Sequence, residues 1–213
     1  MKQKTILFDL DGTLTDSGEG ILSCTQEMLR HFHLPVPDKK DMRFMVGPPL
    51  KESFPQFGVK PEDISKAIEI YRKHYEVTGI YQNFPYPGIK DLLCRLQAQG
   101  HILCVATSKP EYMAHIVLKH FDLAQYFHFI CGAASDEKRS SKSDVIAYLL
   151  TQNGDKGNMI MVGDTIYDVQ GAAAFGIPTI GVAWGYGNAD DLTTAGAIAI
   201  AKDPKHLLAL LNA

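Results

Sequence analysis

The stretch TILFDLDGTLTD, residues 5–16, joins an apolar run directly to a pair of carboxylates. The run TILF predicts a buried strand, and Asp9 and Asp11 follow it with a single residue between them. Alternate side chains of an extended chain project to the same side, so these two charges repel unless water or a cation lies between them. The stretch therefore predicts a strand that ends in a polar site.

Further apolar runs along the chain also end in small or polar residues. These runs are HILCVA before Thr107, FHFI before Cys131, MIMV before Gly163, and PTIGVAW before Gly185. Segments such as PGIKDLLCRLQAQG and PEYMAHIVLKHF lie between them and carry apolar residues three and four apart, which predicts helices. Short strands that alternate with helices predict an α/β fold, here a Rossmann-like core with a doubly wound parallel sheet.

Residues 17–82 break this alternation. The segment reads as successive amphipathic helices, including EGILSCTQEMLRHF and KPEDISKAIEIYRKHYEVTG, with a loop at GPPL and no convincing strand. We therefore predict two domains: an α/β core formed by residues 1–16 and 83–213, and an all-helical domain inserted at residues 17–82.

Polar residues at the predicted strand ends are candidates for one common site, because ligands of an open parallel sheet bind at the carboxyl ends of its strands. This set consists of Asp9, Asp11, Thr107, Ser108, Asp164 and Asp168. Carboxylates concentrated in a small volume need a cation, and oxygen ligands with room for water favour Mg²⁺. The sequence has no His or Cys cluster that would favour a softer metal.

Each of these motifs also has a purely structural interpretation. Asp and Gly are favoured turn residues, so DG after the first strand can simply form a turn. Thr107 and Ser108 can cap the helix that begins near Pro110. Lys142 begins the helix SKSDVIAYLL, where it either remains at the surface or reaches the acidic cluster and holds phosphate oxygens. The joint occurrence of DLDGT and GDTIYD favours a functional site.

Composition and charge limit the classes of function. The 213 residues carry a formal net charge of −3 and a sequence pI of about 6.2, so no basic footprint predicts nucleic-acid binding. The four cysteines are far apart without a C-x-x-C pair, and we expect them to be reduced residues of the core. No apolar run reaches the roughly 18 residues of a membrane span, and the N-terminal run is too short for a signal peptide, so we expect a cytoplasmic protein.

The sequence resembles the haloacid dehalogenase superfamily over essentially all of its length. DLDGT is similar to the first motif of that family, Thr107 to the second, Lys142 to the third and GDTIYD to the fourth. The helical segment after the first motif resembles the cap of the phosphoglycolate phosphatase-like and 5′-nucleotidase-like branch. Ser108 departs from the pattern, since the second motif often carries Asn there.

The resemblance implies a role for each matching residue. Asp9 is implied to attack phosphorus and form an aspartyl-phosphate, while Asp11 protonates the leaving oxygen and then activates water. The implied metal ligands for Mg²⁺ are Asp9, the backbone carbonyl of Asp11, Asp164 and, through water, Asp168. The groups implied to stabilise the transferring phosphoryl oxygens are Thr107, the Ser108 backbone N–H and Lys142.

A further set of residues is predicted to bind the phosphate or the rest of the substrate. In the core, this set consists of Gly12, Thr13, Ser108 and Lys109. In the cap, it consists of Arg43, Gly47, Pro48 and Arg72, with Pro49 and Leu50 in the same loop. Tyr71 and Tyr75 are expected to belong to the core of the cap rather than to contact a ligand.

The implied function is a Mg²⁺-dependent phosphatase that hydrolyses phosphomonoesters of small metabolites, of the phosphoglycolate or nucleoside monophosphate type. Asp11 favours phosphate chemistry, because dehalogenases of this family lack a carboxylate at that position and have no leaving alkoxide to protonate. Two alternatives stay open: a phosphotransferase such as a sugar-phosphate mutase, and a catalytically silent regulatory binding module. We expect a small phosphorylated metabolite as partner, no nucleic acid, no membrane, and a monomer or weak homodimer.

Overall fold

A six-stranded parallel sheet forms the centre of the molecule. The computed structural model describes residues 3–134, 138–153 and 157–213. In chain order the strands are β1 (Thr5–Phe8), β2 (Thr15–Asp16), β3 (Phe84–Pro85), β4 (Ile102–Pro110), β5 (Phe129–Ala133), β6 (Met159–Gly163), β7 (Thr179–Val182) and β8 (Ala199–Ala201). The large sheet has the order β5–β4–β1–β6–β7–β8, and β2 pairs with β3 in a separate antiparallel ladder. The predicted α/β fold with a parallel sheet is confirmed.

Helices connect the strands. In chain order the α-helices are α1 (Gly18–His31), α2 (Leu50–Ser53), α3 (Ile64–Val77), α4 (Ile89–Ala98), α5 (Glu111–His120), α6 (Lys142–Asn153), α7 (Ile166–Ala173), α8 (Ala189–Ala195) and α9 (Pro204–Asn212). Short 3₁₀ helices cover Lys39–Met45, Phe54–Phe57, Pro61–Asp63, Gly79–Tyr81 and Ala124–Tyr126. The sequence analysis did not predict α7, α8, α9 or the strand β8.

The sheet is covered on both faces, because successive side chains of a strand point to opposite sides. Ile6 and Phe8 of β1 pack into one apolar cluster with residues of α4, α5 and α9. Leu7 packs into a second cluster on the opposite face, with residues of α6 and α7. Strands buried on both faces read as continuous apolar runs, which is why TILF and MIMV predict them correctly.

Residues 17–82, all of which the structure describes, contain helices and no strand. Helix α1 packs against α3 and also against the 3₁₀ helix Gly79–Tyr81 that follows it. A Cβ at Gly20 would lie 2.0 Å from the carbonyl oxygen of Gly79, so only glycine permits α1 to come this close to the 3₁₀ helix. The pairing of β2 with β3 brings the two ends of the helical segment together beside the large sheet.

Two expectations concern the environment of the chain. Cys24, Cys104 and Cys131 are buried and free, but Cys94 is free and exposed on the outer side of α4, so the expectation of four core cysteines is wrong for Cys94. Over the three described ranges, no helix is both long enough and apolar enough to cross a lipid bilayer.

Candidate active site

Three carboxylates meet where two neighbouring strands end. Asp9 follows β1 and Asp164 follows β6, while Asp168 lies in the first turn of α7. Strands β1 and β6 are parallel neighbours, and the Asp9 amide donates to the carbonyl oxygen of Val162 at 2.9 Å. All three side chains are buried, and one oxygen of each lies within 4.8 Å of the others. The predicted convergence of the first and fourth motifs is therefore present.

Lys142 reaches this cluster from the beginning of α6. Its Nζ lies 2.8 Å from Oδ1 of Asp9 and 2.7 Å from Oδ1 of Asp168, and it donates to the carbonyl oxygen of Ala106 at 2.9 Å. The Lys142 side chain is 3% exposed. The surface interpretation of this lysine is therefore wrong, and its ammonium group lies against the carboxylate that is the candidate nucleophile.

Burial dominates the electrostatics of the acidic cluster. It raises the pKa of Asp9 from 3.8 to about 6, while Lys142 opposes this rise and Asp168 adds to it. Burial, together with the charges of Asp168 and Asp9, raises the pKa of Asp164 well above its usual range. Burial alone would lower the pKa of Lys142, but the carboxylates of Asp168 and Asp9 outweigh it and raise that pKa. When all groups are ionised, the carboxylates exceed the lysine by two negative charges.

The donor set fits a hard divalent cation. It consists only of carboxylate oxygens, which Mg²⁺ prefers, and its excess charge matches that of a divalent ion. Oδ1 of Asp9 and Oδ1 of Asp168 accept no well-formed hydrogen bond from any described residue, although both lie near Lys142. The carboxylate of Asp11 is not part of the cluster. Its predicted metal contact through the backbone carbonyl stays a prediction.

Hydrogen bonds hold Asp164 and Asp168 in fixed orientations. Asp164 accepts from the Tyr186 amide at 2.8 Å and from the Thr13 hydroxyl at 3.2 Å. Oδ2 of Asp168 accepts from both the amide and the hydroxyl of Thr165 at 3.0 Å. The amide bond and the reciprocal bond from the Asp168 amide to the Thr165 side chain form a capping box at the start of α7. The other oxygen of Asp168 is thereby directed to Lys142.

Glycines allow the backbone to approach Asp164. Gly12 has a φ of +85°, and a Cβ there would lie 2.2 Å from Oδ2 of Asp164. A Cβ at Gly185 would lie 2.3 Å from the Cβ of Asp164. Gly12 and the fully buried Thr13, both predicted to bind phosphate or substrate, thus contact the acidic cluster and are not among the described residues that line the open cleft.

A cleft of about 160 Å³ opens above Asp9 and Asp11. One wall comes from the end of β4 and the start of α5, and the other comes from the GPPL loop and α3. The predicted site residues that line the cleft are Asp9, Asp11, Gly47, Pro48, Pro49, Leu50, Arg72, Thr107, Ser108 and Lys109. Arg43 is not among its described lining residues, because its guanidinium lies 5.7 Å from the centre of the Tyr186 ring.

The second motif lies in an extended segment rather than in a helix cap. Strand β4 continues to Pro110, which occupies the N-cap position of α5 without a side-chain hydrogen bond. Thr107 accepts a hydrogen bond from the amide of Lys109 at 3.2 Å, and its side chain is buried at the edge of the cleft. The interpretation of Thr107 and Ser108 as helix caps is therefore wrong.

The sequence analysis missed part of the cleft wall. Tyr71 and Tyr75 are buried, as expected for cap core, but both also line the cleft together with Ile68 and Arg72. These four residues follow the three and four spacing of one helix face, so the pattern was visible in the sequence. What it did not indicate is that this face of α3 points towards Asp11.

The fold and the acidic cluster define a chain of the haloacid dehalogenase type. The chain belongs to the haloacid dehalogenase-like hydrolase family, whose sequence profile matches residues 6–182. This confirms the resemblance on which the site residues were assigned.

The family contains relatives with different names. Tyrosine-protein kinase PtkA of Mycobacterium tuberculosis is 45% identical over 186 residues, which cover 87% of this chain and 64% of PtkA, so the chain spans less than two thirds of that relative. The 5′-nucleotidase of Pseudomonas aeruginosa is 38% identical over 194 residues, covering 90% of this chain and 88% of the relative. The crystal structure of a predicted phosphatase from Clostridium acetobutylicum matches with a TM-score of 0.95 at 40% identity, covering 100% of this chain and 99% of that chain.

Proposed function

We propose that this chain is a phosphatase that hydrolyses phosphomonoesters of small metabolites through an aspartyl-phosphate on Asp9. The observation that carries the proposal is the contact of Asp9 with Lys142 at the base of the cleft, beside Asp164 and Asp168. Family membership and the relative named 5′-nucleotidase support a hydrolase. The size of the cleft supports a small substrate.

The proposed reaction has two displacements. An oxygen of Asp9 bonds to phosphorus while the bond from phosphorus to the leaving oxygen breaks, and Asp11 gives its proton to that oxygen. Asp11 then takes a proton from water, the water oxygen bonds to phosphorus, and Asp9 is released together with inorganic phosphate. Lys142 and the backbone near Thr107 stabilise the phosphoryl oxygens during both steps.

We propose Mg²⁺ as the cofactor, held by Asp9 and Asp164 with support from Asp168. When bound, the ion supplies positive charge that offsets the repulsion between these carboxylates and the phosphate dianion. We also propose that residues 1–16 and 83–213 form the core and that residues 17–82 form a cap that covers the cleft. We further propose that the protein is a monomer or weak homodimer and that it is cytoplasmic. The free cysteines support a reducing compartment.

The test uses 4-nitrophenyl phosphate as a generic substrate. The protein should turn it over with Mg²⁺ and stop when EDTA removes the metal. Asp9→Asn should lose at least about 10³-fold in kcat while retaining its far-ultraviolet circular dichroism. Asp41→Asn, an equivalent change at an exposed aspartate outside the cleft, serves as the matched control. Turnover that is insensitive to EDTA, or full activity of Asp9→Asn, would refute the proposal.

A second candidate is transfer of the phosphoryl group to an acceptor other than water. The 45% identity to a relative named tyrosine-protein kinase favours considering it, and the first displacement would be the same. The two functions differ in their products. A phosphatase releases inorganic phosphate from the substrate, whereas a phosphotransferase converts an added hydroxyl acceptor into a new phosphate ester at a rate that matches donor consumption.

A further inference from the structure

Lys109 is fully engaged with the candidate acid–base residue. Its Nζ donates to Oδ1 of Asp11 at 3.0 Å and to Oδ2 at 2.8 Å, so it grips both oxygens of the carboxylate. The Lys109 side chain is 3% exposed and that of Asp11 is 14% exposed. The contact is therefore a buried charge pair at the wall of the cleft rather than a surface ion pair.

Tyr75 completes the surroundings of this lysine from the helical segment. Its hydroxyl accepts a hydrogen bond from Lys109 Nζ at 2.7 Å, and the ammonium also lies 4.6 Å from the centre of the Tyr75 ring. Tyr75 is 1% exposed, and its ring stacks on Tyr71 of the same helix at 5.6 Å. Helix α3 thus fixes where the Lys109 ammonium lies.

The hydrogen-bond count argues against a phosphate-binding role for Lys109. A lysine ammonium has three donors. Two of them are directed to the oxygens of Asp11 and the third to the hydroxyl of Tyr75. Contact with a substrate phosphate would require at least one of these bonds to break, whereas Lys142 already lies against Asp9, where the phosphate would react.

We propose that Lys109 is a positioning residue for Asp11 and that Tyr75 of α3 holds Lys109 in place. The inference rests on the proposed function, in which Asp11 gives its proton to the leaving oxygen as the phosphorus–oxygen bond breaks. Lys109 then faces the carboxylate that Asp11 becomes. An alkoxide leaving group depends on this proton, whereas 4-nitrophenolate leaves without it.

The test compares two esters with similar aromatic bodies, benzyl phosphate and 4-nitrophenyl phosphate, by kcat/KM in the presence of Mg²⁺. For Lys109→Met we expect a loss of about 100-fold with benzyl phosphate and of less than about 5-fold with 4-nitrophenyl phosphate. Tyr75→Phe should change the ratio in the same direction by about 10-fold. Asp11→Asn sets the largest ratio change that loss of the acid can produce.

Tyr81→Phe is the matched control, because it removes a hydroxyl from an exposed tyrosine that is not among the described residues of the cleft wall, and it should leave the ratio unchanged. If Lys109→Met loses kcat/KM equally on both esters, the ratio of the two kcat/KM values is unchanged. That result overturns the inference and assigns Lys109 to phosphate binding or to structure alone. If thermal unfolding shows that Lys109→Met is not folded, the ratio of the two kcat/KM values for Tyr75→Phe tests the inference instead. Wild-type protein that hydrolyses neither ester refutes the proposed function itself, and the inference falls with it.

Discussion

Lowering the pH should stabilise the metal-free protein through Asp9. Burial raises the pKa of this carboxyl from 3.8 to about 6 in the folded chain, so the folded state keeps a proton that the unfolded chain has already released. The stabilisation is fully present below pH 3.8 and is lost as the pH rises through about 6. The difference between the two pKa values corresponds to about 3 kcal/mol in the free energy of unfolding.

The assay is urea unfolding of EDTA-treated wild type and Asp9→Asn at several pH values between 4 and 7.5. Asparagine does not titrate, so the difference between the two proteins reports Asp9 together with its charge coupling to Asp164 and Asp168. We expect the stability of Asp9→Asn relative to wild type to grow by about 2.5 kcal/mol from pH 4 to pH 7.5, since part of the full difference lies below pH 4. If the difference in the free energy of unfolding between the two proteins stays constant across this range, the pKa of Asp9 is not raised in the folded state and the reasoning is refuted.

Three further predictions concern the cluster and the cleft. Gly12→Ala should destabilise the fold by about 1–3 kcal/mol in urea unfolding, because its Cβ would lie 2.2 Å from Oδ2 of Asp164. Gly100→Ala is the control: Gly100 also has a positive φ, but a Cβ there meets no atom within 4 Å, so this change should destabilise the fold less. Lys142→Met should cost about 3–5 kcal/mol without metal, because buried carboxylates lose their partner, and Mg²⁺ should restore part of that loss. Arg72 lines the cleft and forms no ion pair with any described residue, so Arg72→Gln should raise KM about 10-fold for phosphoglycolate while leaving KM for ethyl phosphate within about 2-fold.

The acidic cluster could be predicted from the sequence because its signals are local and one topological rule joins them. TILF and MIMV each indicate a strand buried on both faces, and Asp9 and Asp164 follow these runs within two residues. Parallel strands of an open sheet place their carboxyl ends along one edge, so the two carboxylates had to lie near each other if the strands were neighbours. The structure makes β1 and β6 neighbours.

The surroundings of Asp11 could not be predicted in the same way. Lys109 follows the second motif, which suggested a contact with phosphate, and Tyr75 lies on a helix face that looked like ordinary cap core. Their contact joins residues 34 positions apart in sequence and depends on how α3 lies over the sheet. Neither helical periodicity nor strand patterning encodes that orientation. The three-residue strand β8 was missed for a simpler reason, since it is too short to show a period.

Under the proposed function, the choice between water and another hydroxyl as phosphoryl acceptor would depend on the cleft rather than on the acidic cluster. In the proposed reaction, Asp9, Asp11 and Lys142 would have the same roles with either acceptor. The cleft above them holds about 160 Å³ and is covered by the GPPL loop and α3. A cleft of this size would admit water, whereas a tyrosine on the surface of a folded protein would require the cover to be displaced. The acceptor would then depend on the position of the helical segment, and the contacts of Tyr75 with Lys109 and of Lys109 with Asp11 would couple this position to the proposed acid–base step.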